Sequence, residues 1–231
     1  MASSALHSSR SSQWFTAPWL LDAEREILGG EFDFDPASCE LAQRLVRAER
    51  WHDGGARGNG LRVTWRARRM HLNAPYSRVD GGPIGAWVER ALLSHVRAIA
   101  GADVRSGCLV VNSTPGPRWF RNLWDFATIA FLHERVAYIE AVPQALHRWI
   151  DGEKKRGRRP THQTINDHAQ RLLERGARAR LPDGLTPGPA PTHWSAIAYL
   201  GSRPERVSKV LGRLATIIPA GAARVEDEEA A

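Results

Sequence analysis

Four consecutive residues, Asn73, Ala74, Pro75 and Tyr76, have the composition of a site that grips a planar amine. They directly follow the apolar run 70–72, which predicts a buried strand ending where the motif begins. The Asn side-chain oxygen and the next backbone carbonyl can both accept hydrogen bonds from one exocyclic NH2 group. The proline stiffens the turn, and the tyrosine ring offers a stacking face. The alternative is an Asn-x-Pro turn, but a plain turn has no need of an aromatic residue after the proline.

A second candidate site comprises Asp35, Pro36, Ala37 and Ser38, which follow another short apolar run. In an open α/β sheet, ligands bind outside the carboxyl ends of the strands, near the point where the strand order reverses. A carboxylate followed by small residues at such a position lets a ligand approach the backbone. The alternative is a helix N-cap, because Asp and Ser often precede helices for that reason alone.

The elements that must position these two motifs alternate in the manner of an α/β sheet protein. We predict strands at 32–35, 70–73, 108–112 and 194–200, and helices at 20–28, 40–49, 87–99, after Pro117 and at 203–217. The apolar runs 130–132 and 136–139 predict two strands or one bent hairpin. The polar, Gly-rich stretch 52–60 predicts a flexible surface loop, because it neither follows a predicted strand nor opens a helix as a phosphate loop does.

A basic, proline-rich stretch at 143–192 interrupts the alternation. Prolines at 182, 187, 189 and 191 are incompatible with a buried strand, so we interpret the stretch as an insertion of one or two helices on a Pro-rich tether. The predicted organisation is therefore a disordered leader (1–13), a core (14–142 and 193–218), this insertion, and a disordered acidic tail (219–231).

The charge of the chain favours a polyanionic partner, because the 231 residues carry a formal net charge of +7. Residues 151–180 alone hold nine Lys or Arg against four Asp or Glu. A second arginine cluster at 57–69 leads into the Asn73 motif. The predicted nucleic-acid contacts are Arg66, Arg68, Arg69, Lys154, Lys155, Arg156, Arg158 and Arg159.

Several classes of protein do not fit the sequence. No run of eighteen apolar residues is present, so we expect no membrane partner. The two cysteines, Cys39 and Cys108, show no pairing pattern, so we expect free thiols in a reducing, cytoplasmic compartment. The nine histidines are scattered without metal-ligand spacing, so we predict no metal site.

Six segments of the chain, in this order, resemble those of one enzyme family. They are Trp-Phe-Thr-Ala-Pro at 14–18, Phe-Asp-Pro-Ala-Ser at 34–38, Gly-Leu with Trp65 at 60–65, Asn-Ala-Pro-Tyr-Ser at 73–77, Trp-Phe, Phe-Leu and Arg-Val within 119–136, and Tyr-Leu-Gly-Ser-Arg-Pro at 199–204. This set resembles the phage-type DNA N6-adenine-methyltransferase (Dam) family over most of 14–217, apart from the insertion.

The resemblance implies a fold and an activity. The expected fold is α/β, a Rossmann-like class I S-adenosylmethionine-dependent methyltransferase sheet with an inserted basic helical segment. The expected reaction transfers a methyl group from S-adenosylmethionine to the N6 amine of adenine in DNA, inside a bacterial cell whose phage or prophage encodes the enzyme. The resemblance places the cofactor over residues 35–38, with Phe15, Thr16 and Pro18 closing the pocket.

The resemblance also assigns roles to the first motif. Asn73 and the Ala74 carbonyl accept both N–H bonds of an adenine that has left the duplex, and Tyr76 stacks on its ring. This arrangement favours positive charge on the amine and needs neither a metal nor a covalent intermediate.

Three alternatives stay open. The family usually has Pro-Pro where this chain has Ala17-Pro18 and Ala74-Pro75, so a catalytically degenerate nucleic-acid-binding protein of the same fold is one alternative. Methyl transfer to an RNA base is another, and similar motifs also serve enzymes that modify a protein glutamine amide. The sequence indicates no oligomeric state.

Overall fold

The computed structural model describes residues 14–75, 83–99, 104–189 and 193–222. The chain divides into two compact units. The larger unit comprises Pro18–Val136 and Thr192–Ala231, and the smaller comprises Met1–Ala17 and Ala137–Pro191. The predicted leader and the acidic run 226–229 lie outside the described residues.

Strands and helices alternate along the described chain. The strands are β1 (Phe34–Asp35), β2 (Arg50–Trp51), β3 (Met70–Leu72), β4 (Gly107–Asn112), β5 (Thr128–Leu132), β6 (Ile139–Ala141), β7 (Leu185–Pro187), β8 (Ser195–Leu200) and β9 (Ala215–Ile218). The helices are α1 (Pro18–Leu28), α2 (Glu40–Val46), α3 (Ile84–Ile99), α4 (Arg118–Phe126), α5 (Val142–Lys155), α6 (His162–Arg178) and α7 (Glu205–Leu211), and a 3-10 turn spans Gly60–Arg62.

The larger unit is built on a seven-stranded sheet in the order β2-β1-β3-β4-β8-β5-β9. Strands β2, β1, β3 and β4 are parallel, and β8 is antiparallel to both β4 and β5. Because β9 is antiparallel to β5, only β8 and β9 oppose the common strand direction. The mostly parallel sheet with helices between its strands is compatible with a Rossmann-like fold.

One face of this sheet carries a continuous apolar core. Side chains from β1, β3, β4 and β8 meet those of α3 and α4 there, and the largest fully buried ones include Trp65, Met70 and Phe120. On β3 the core residues are Met70 and Leu72, so His71 between them points to the opposite face.

The smaller unit combines a two-stranded antiparallel sheet, β6 and β7, with the helical hairpin α5–α6. The hairpin has a thin core of Val142, Ala145 and Leu172. Residues 14–17 belong to this unit because Phe15 exchanges two backbone hydrogen bonds with Ile139, at 2.8 and 2.9 Å. This differs from the predicted organisation, which assigned residues 14–17 to the core.

Most predicted elements of the larger unit are confirmed within a few residues. The helix predicted at 20–28 is α1, and it ends at Gly29 and Gly30, both at positive φ (78° and 149°). The helix predicted at 40–49 is shorter, because Arg47 adopts the left-handed conformation that ends α2. The two-residue strand β2 was not predicted, because it is too short to show a period.

Two predictions for the elements are wrong, and the structure decides between two alternatives for a third. The helix at 203–217 ends at Leu211, and its last part is strand β9, paired with β5. Of the two alternatives for 130–139, the bent hairpin does not form, because β5 pairs with β8 and β9 while β6 pairs with β7. Two separate strands form instead: β5 includes the predicted 130–132, and β6 begins only at Ile139. The expectation that the Pro-rich stretch holds no buried strand also fails. Leu185 and Thr186 of β7 are buried, and Pro187 is tolerated because it is the last residue of a strand in a two-stranded sheet. No helix among the described residues is long and apolar enough to cross a membrane.

Candidate functional site

The order of the strands reverses between β1 and β3. After β1 the chain moves to β2 at the edge of the sheet, then returns to β3 on the other side of β1. Because β1 and β3 are parallel, the residues after Asp35 and after Leu72 leave the sheet on the same side, which we call the carboxyl edge. Neighbouring strands lie about 4.8 Å apart. The structure therefore brings the 35–38 segment and Asn73 to one place, the usual ligand position in such sheets.

The Asp35 carboxylate organises the loop that follows β1. It is only 2% exposed; Oδ2 accepts a hydrogen bond from Nε2 of Gln43 (2.9 Å), and Oδ1 accepts one from the backbone N–H of Ala37 (3.2 Å). The same Gln43 Nε2 donates to the Ser38 hydroxyl at 2.7 Å. Both carboxylate oxygens of Asp35 thus accept hydrogen bonds from within the protein. The carboxylate therefore holds the shape of the loop that follows β1.

The alternative interpretation, that Asp or Ser of the 35–38 segment caps the next helix, is wrong. The N-cap of α2 is Cys39, whose Sγ accepts a hydrogen bond from the backbone N–H of Ala42 at 3.5 Å. Burial raises the pKa of the Cys39 thiol, which keeps it protonated at neutral pH. Neither Asp35 nor Ser38 caps the helix.

The Gly-Leu…Trp segment packs directly on the loop after β1. A Cβ atom placed on Gly60 would lie 1.8 Å from the carbonyl oxygen of Pro36, so only glycine allows this approach. The fully buried Trp65 holds the segment in place, because its Nε1–H donates to the Gly60 carbonyl at 2.8 Å. Sequence reasoning did not assign Gly60 to the site, although its Gly-Leu…Trp pattern was the available signal.

The first motif leaves the core at the end of β3. Ala74 belongs to the same apolar cluster as Met70 and Leu72, so the alternation of the strand continues through residue 74. Asn73 therefore points to the other face of the sheet, as His71 does. Asn73 and Pro75 are half-buried, and Ala74 is buried. Tyr76, the fourth predicted catalytic residue, lies outside the described residues.

A buried ion pair lies beneath Asn73. Nδ1 of His71 is 2.7 Å from Oε2 of Glu24 on α1, and both side chains are at most 2% exposed. Oε1 of Glu24 is buried without a hydrogen-bond partner among the described residues. Burial raises the pKa of Glu24, against the opposing effect of His71. Burial alone lowers the pKa of His71, but the charge of Glu24 and its hydrogen bond more than offset this and leave that pKa raised.

Asp35 is a third ionisable group in this region. Burial raises the pKa of Asp35, while the charge of His71 and the hydrogen bonds described above oppose the rise. The Glu24–His71 pair and Asp35 thus form one coupled set beneath the two candidate motifs.

The three predicted cofactor residues Phe15, Thr16 and Pro18 do not share one setting. Phe15 and Thr16 are buried residues of the smaller unit, whereas Pro18 is the exposed first residue of α1 in the larger unit. Among the described residues of the larger unit, 35–38, 60–65 and 73–75 contribute to the geometry at the carboxyl edge.

The structure does not bring the predicted arginine contacts Arg66, Arg68 and Arg69 to Asn73. They precede β3 and therefore lie where the parallel strands begin, which we call the amino edge. Nε of Arg68 is 3.3 Å from Asp33, and Nε of Arg69 donates to the Glu31 carbonyl at 2.7 Å. These two side chains tie the start of β3 to the segment before β1.

The basic residues of the smaller unit surround the turn between α5 and α6. Arg156 and Arg158 both pair with Glu153, whose pKa their hydrogen bonds and charges lower. Lys154, Lys155 and Arg159 are exposed, and no Asp or Glu of the described residues pairs with them. A cavity of about 730 Å³ lies at this turn, lined by Ile150, Lys154, Gly157, Arg158, Arg159, Pro160 and Ile165.

Comparison with known proteins adds no assignment: neither the models of known protein families nor the curated proteins contain a match to this chain. Within the described ranges, no three His, Cys, Asp or Glu side chains are grouped so as to hold a metal ion.

Proposed function

We propose that this chain is a DNA methyltransferase that transfers a methyl group from S-adenosylmethionine to the exocyclic N6 of adenine. The observation that supports this most is the meeting of two motifs at one carboxyl edge. Residues 35–38 and Asn73 follow adjacent parallel strands at the point where the strand order reverses. The two motifs have complementary roles. The small residues of 35–38 leave room for a ligand, and the Asn73 motif offers hydrogen-bond acceptors for an amine.

In this proposal Asn73 and Ala74 activate the amine. An adenine amine is a weak nucleophile, because its lone pair is delocalised into the ring. Two acceptors, the Asn73 side-chain oxygen and the Ala74 carbonyl, favour positive charge on that nitrogen and direct its lone pair away from the ring plane. Ala74 lacks the ring that would fix its φ, but its side chain is buried in the core and Pro75 follows it. Packing thus restrains the carbonyl direction.

The residues around Pro36 fit a cofactor that carries a nucleoside. S-adenosylmethionine, when bound, supplies an electrophilic methyl group on its sulfonium. Ala37 and Ser38 offer small side chains at the switch point, and Gly60 packs without a side chain against Pro36. These residues would hold the cofactor, while Asp35 fixes the loop that carries them through Gln43.

The basic hairpin supports DNA as the partner. A base must leave the duplex before its amine can reach Asn73, and unstacking costs a few kcal/mol. Contacts to phosphates supply most of the sequence-independent affinity for DNA. The exposed Lys154, Lys155 and Arg159 of the α5–α6 turn are suited to such contacts.

The proposal is tested by incubating the full chain with S-adenosylmethionine labelled in its methyl group and with mixed-sequence DNA or RNA. Digestion to nucleosides followed by mass spectrometry should detect labelled N6-methyladenine from DNA. Label found in RNA alone would show that the acceptor is an RNA base and not DNA. If a folded, cofactor-binding protein labels neither polymer, the activity is refuted.

The variant Asn73→Ala tests the assigned mechanism. Loss of a transition-state hydrogen bond of this kind lowers the rate about 100-fold or more. We therefore expect transfer to fall by at least that factor, while calorimetry detects nearly unchanged cofactor binding. Asn122→Ala is the matched control, because Asn122 is an exposed residue of α4, a helix that belongs to neither motif. Equal losses in both variants, or loss of cofactor binding in Asn73→Ala, would contradict the role of Asn73.

A further inference from the structure

The loop between β2 and the 3-10 turn lies at the carboxyl edge, next to the candidate site. It leaves β2, which is parallel to β1, and returns to Gly60 against the carbonyl of Pro36. Both ends of the loop are therefore fixed beside the loop that follows β1. His52 is joined to that loop by two backbone hydrogen bonds: its N–H donates to Asp35 (3.1 Å) and its carbonyl accepts from Ser38 (2.8 Å).

This loop is ordered by its own hydrogen bonds. Oδ1 of Asp53 accepts from the backbone N–H groups of Gly55 (2.8 Å) and Arg57 (2.9 Å). Gly54 and Gly58, both at positive φ, close the turn through an N–H to carbonyl bond of 3.0 Å. The sequence predicted a flexible surface loop here; residues 53–57 are indeed exposed, and these hydrogen bonds form a compact turn around Arg57.

Two exposed arginines lie in this region, Arg57 in the loop and Arg62 in the 3-10 turn that follows it. The guanidinium of Arg57 lies 4.2 Å from the ring centroid of Trp51, a cation–π contact that orders it. Arg62 is the last residue of the 3-10 turn that begins at Gly60. Both arginines are exposed, and within the described ranges neither guanidinium forms an ion pair.

The arginines at the amino edge are used differently. Arg68 pairs with Asp33, and Arg69 donates to the Glu31 carbonyl. The cluster at 57–69 therefore divides into two groups with different roles. Arg68 and Arg69 tie the start of β3 to the segment before β1, whereas Arg57 and Arg62 lie on segments at the carboxyl edge.

We propose that Arg57 and Arg62 bind the phosphodiester backbone of the nucleic acid whose base enters the candidate site. The guanidinium fork is suited to phosphate oxygens, and stacking on Trp51 pre-orders Arg57 for such a contact. This inference rests on the proposed function, because it takes nucleic acid as the partner. It differs from that proposal in placing a backbone contact on the larger unit itself.

The test measures binding of the full chain to a fluorescein-labelled 25-base-pair duplex of mixed sequence by anisotropy, over a series of salt concentrations and without methyl donor. Loss of one phosphate contact lowers the slope of log K against log salt by about 0.9. We expect Arg57→Gln and Arg62→Gln each to weaken binding and lower the slope by that amount, and the double variant to lower it by about twice as much. Arg57→Lys keeps the charge and should retain most of the slope even if the stack on Trp51 is altered.

Arg105→Gln is the matched control. Arg105 is an exposed arginine two residues before β4, at the amino edge, so its loss removes the same charge without touching the loop. If the double variant and this control show the same slope, the inference is overturned while the proposed function stands. If the wild-type chain binds no duplex, both fail. Thermal unfolding of each variant shows whether the fold is retained, and the slope of Arg62→Gln decides the case if Arg57→Gln proves unstable.

Discussion

Asp35 and Asn73 are both polar residues at the ends of adjacent strands, but they are available for different tasks. The carboxylate of Asp35 is buried and accepts hydrogen bonds from Gln43 and Ala37. Asn73 is half-buried and lies where the alternation of β3 leaves the apolar core. The first is therefore suited to holding a loop in shape, and the second to meeting a substrate. A substitution at Asp35 should affect folding, whereas one at Asn73 should affect chemistry.

Gly60 offers a sharp test of how the loop after β1 is shaped. In Gly60→Ala the new methyl group would lie 1.8 Å from the Pro36 carbonyl oxygen, so the backbone must move apart. Overpacking of this kind lowers the free energy of unfolding by about 1–3 kcal/mol. We expect this loss in urea unfolding, together with weaker binding of S-adenosylmethionine.

Gly55→Ala serves as the control in the same loop, because its Cβ would lie 3.7 Å from Asp53, an ordinary contact. Equal effects of the two substitutions would show that the close approach to Pro36 is not what the fold requires at residue 60.

Residue types in the sequence identified the two motifs, but not the partners of each side chain. The link from Asp35 to Gln43 depends on how α2 folds back over the loop, which no local pattern specifies. The arginines Arg66, Arg68 and Arg69 precede Asn73 closely in the sequence, yet β3 separates them from it. Three strand residues span about 10 Å, so neighbours in sequence lie at opposite edges of the sheet.

At the scale of elements, helix α1 covers a row of polar side chains that crosses the sheet. His71 on β3 is in register with Cys108 on β4, and Cys108 with Tyr199 on β8. Glu24 of α1 reaches this row and pairs with His71. The desolvation of a buried ion pair often costs more free energy than the attraction between its charges contributes. This row therefore stabilises the fold less than an apolar face would. The pair of Glu24 and His71 joins α1 to β3 two residues before Asn73.

The pH dependence of stability follows from this pair. Because the pKa of folded His71 is raised above 6.5 by Glu24, the folded chain binds this proton more tightly than the unfolded chain. The contribution of His71 is therefore complete below pH 6.5 and is lost as the pH rises through the folded pKa. Deprotonation leaves Glu24 and Asp35 facing a neutral imidazole, with Arg25 as the remaining nearby cation.

We therefore expect the free energy of unfolding, from urea titrations, to fall as the pH rises above 6.5 in the wild-type chain. His71→Gln should be less stable at pH 6.5 and should flatten this fall. Tyr199→Phe, which removes one hydrogen bond to the backbone N–H of Arg203 on the same face, should keep the wild-type slope. A wild-type slope in His71→Gln would show that other groups cause the fall.

The elements that sequence patterns predicted correctly are those with a strong local signal. Helix α1 has an apolar stripe and a two-glycine end, and β4 and β8 are continuous apolar runs. The missed strand β9 follows Gly212, and its residues pair with β5, so its conformation comes from a distant partner. Strand β7 contains a proline and forms through its pairing with β6. Tertiary context decided both cases.

At the scale of the whole molecule, positive charge is spread over parts of the chain with different roles. The chain has 32 Lys and Arg against 25 Asp and Glu, and nine of the basic residues lie within 151–180. Some of these are neutralised locally, as Arg156 and Arg158 are by Glu153. The sequence predicted a basic insertion, but it could not separate the paired cations from the exposed ones. Only the exposed set is suited to releasing counterions from DNA.

The exposed set makes a prediction about the salt dependence of the full chain. A triple variant, Lys154→Gln, Lys155→Gln and Arg159→Gln, should bind duplex DNA less tightly, with a slope of log K against log salt lower by up to about 2.7. Lys209→Gln is the control, because it removes one exposed charge from α7 in the larger unit and should leave the slope unchanged. Fluorescence anisotropy between 50 and about 200 mM salt measures both slopes. An unchanged slope in the triple variant would exclude the α5–α6 turn from the DNA interface and would leave the larger unit, with Arg57 and Arg62, as the place where phosphates bind.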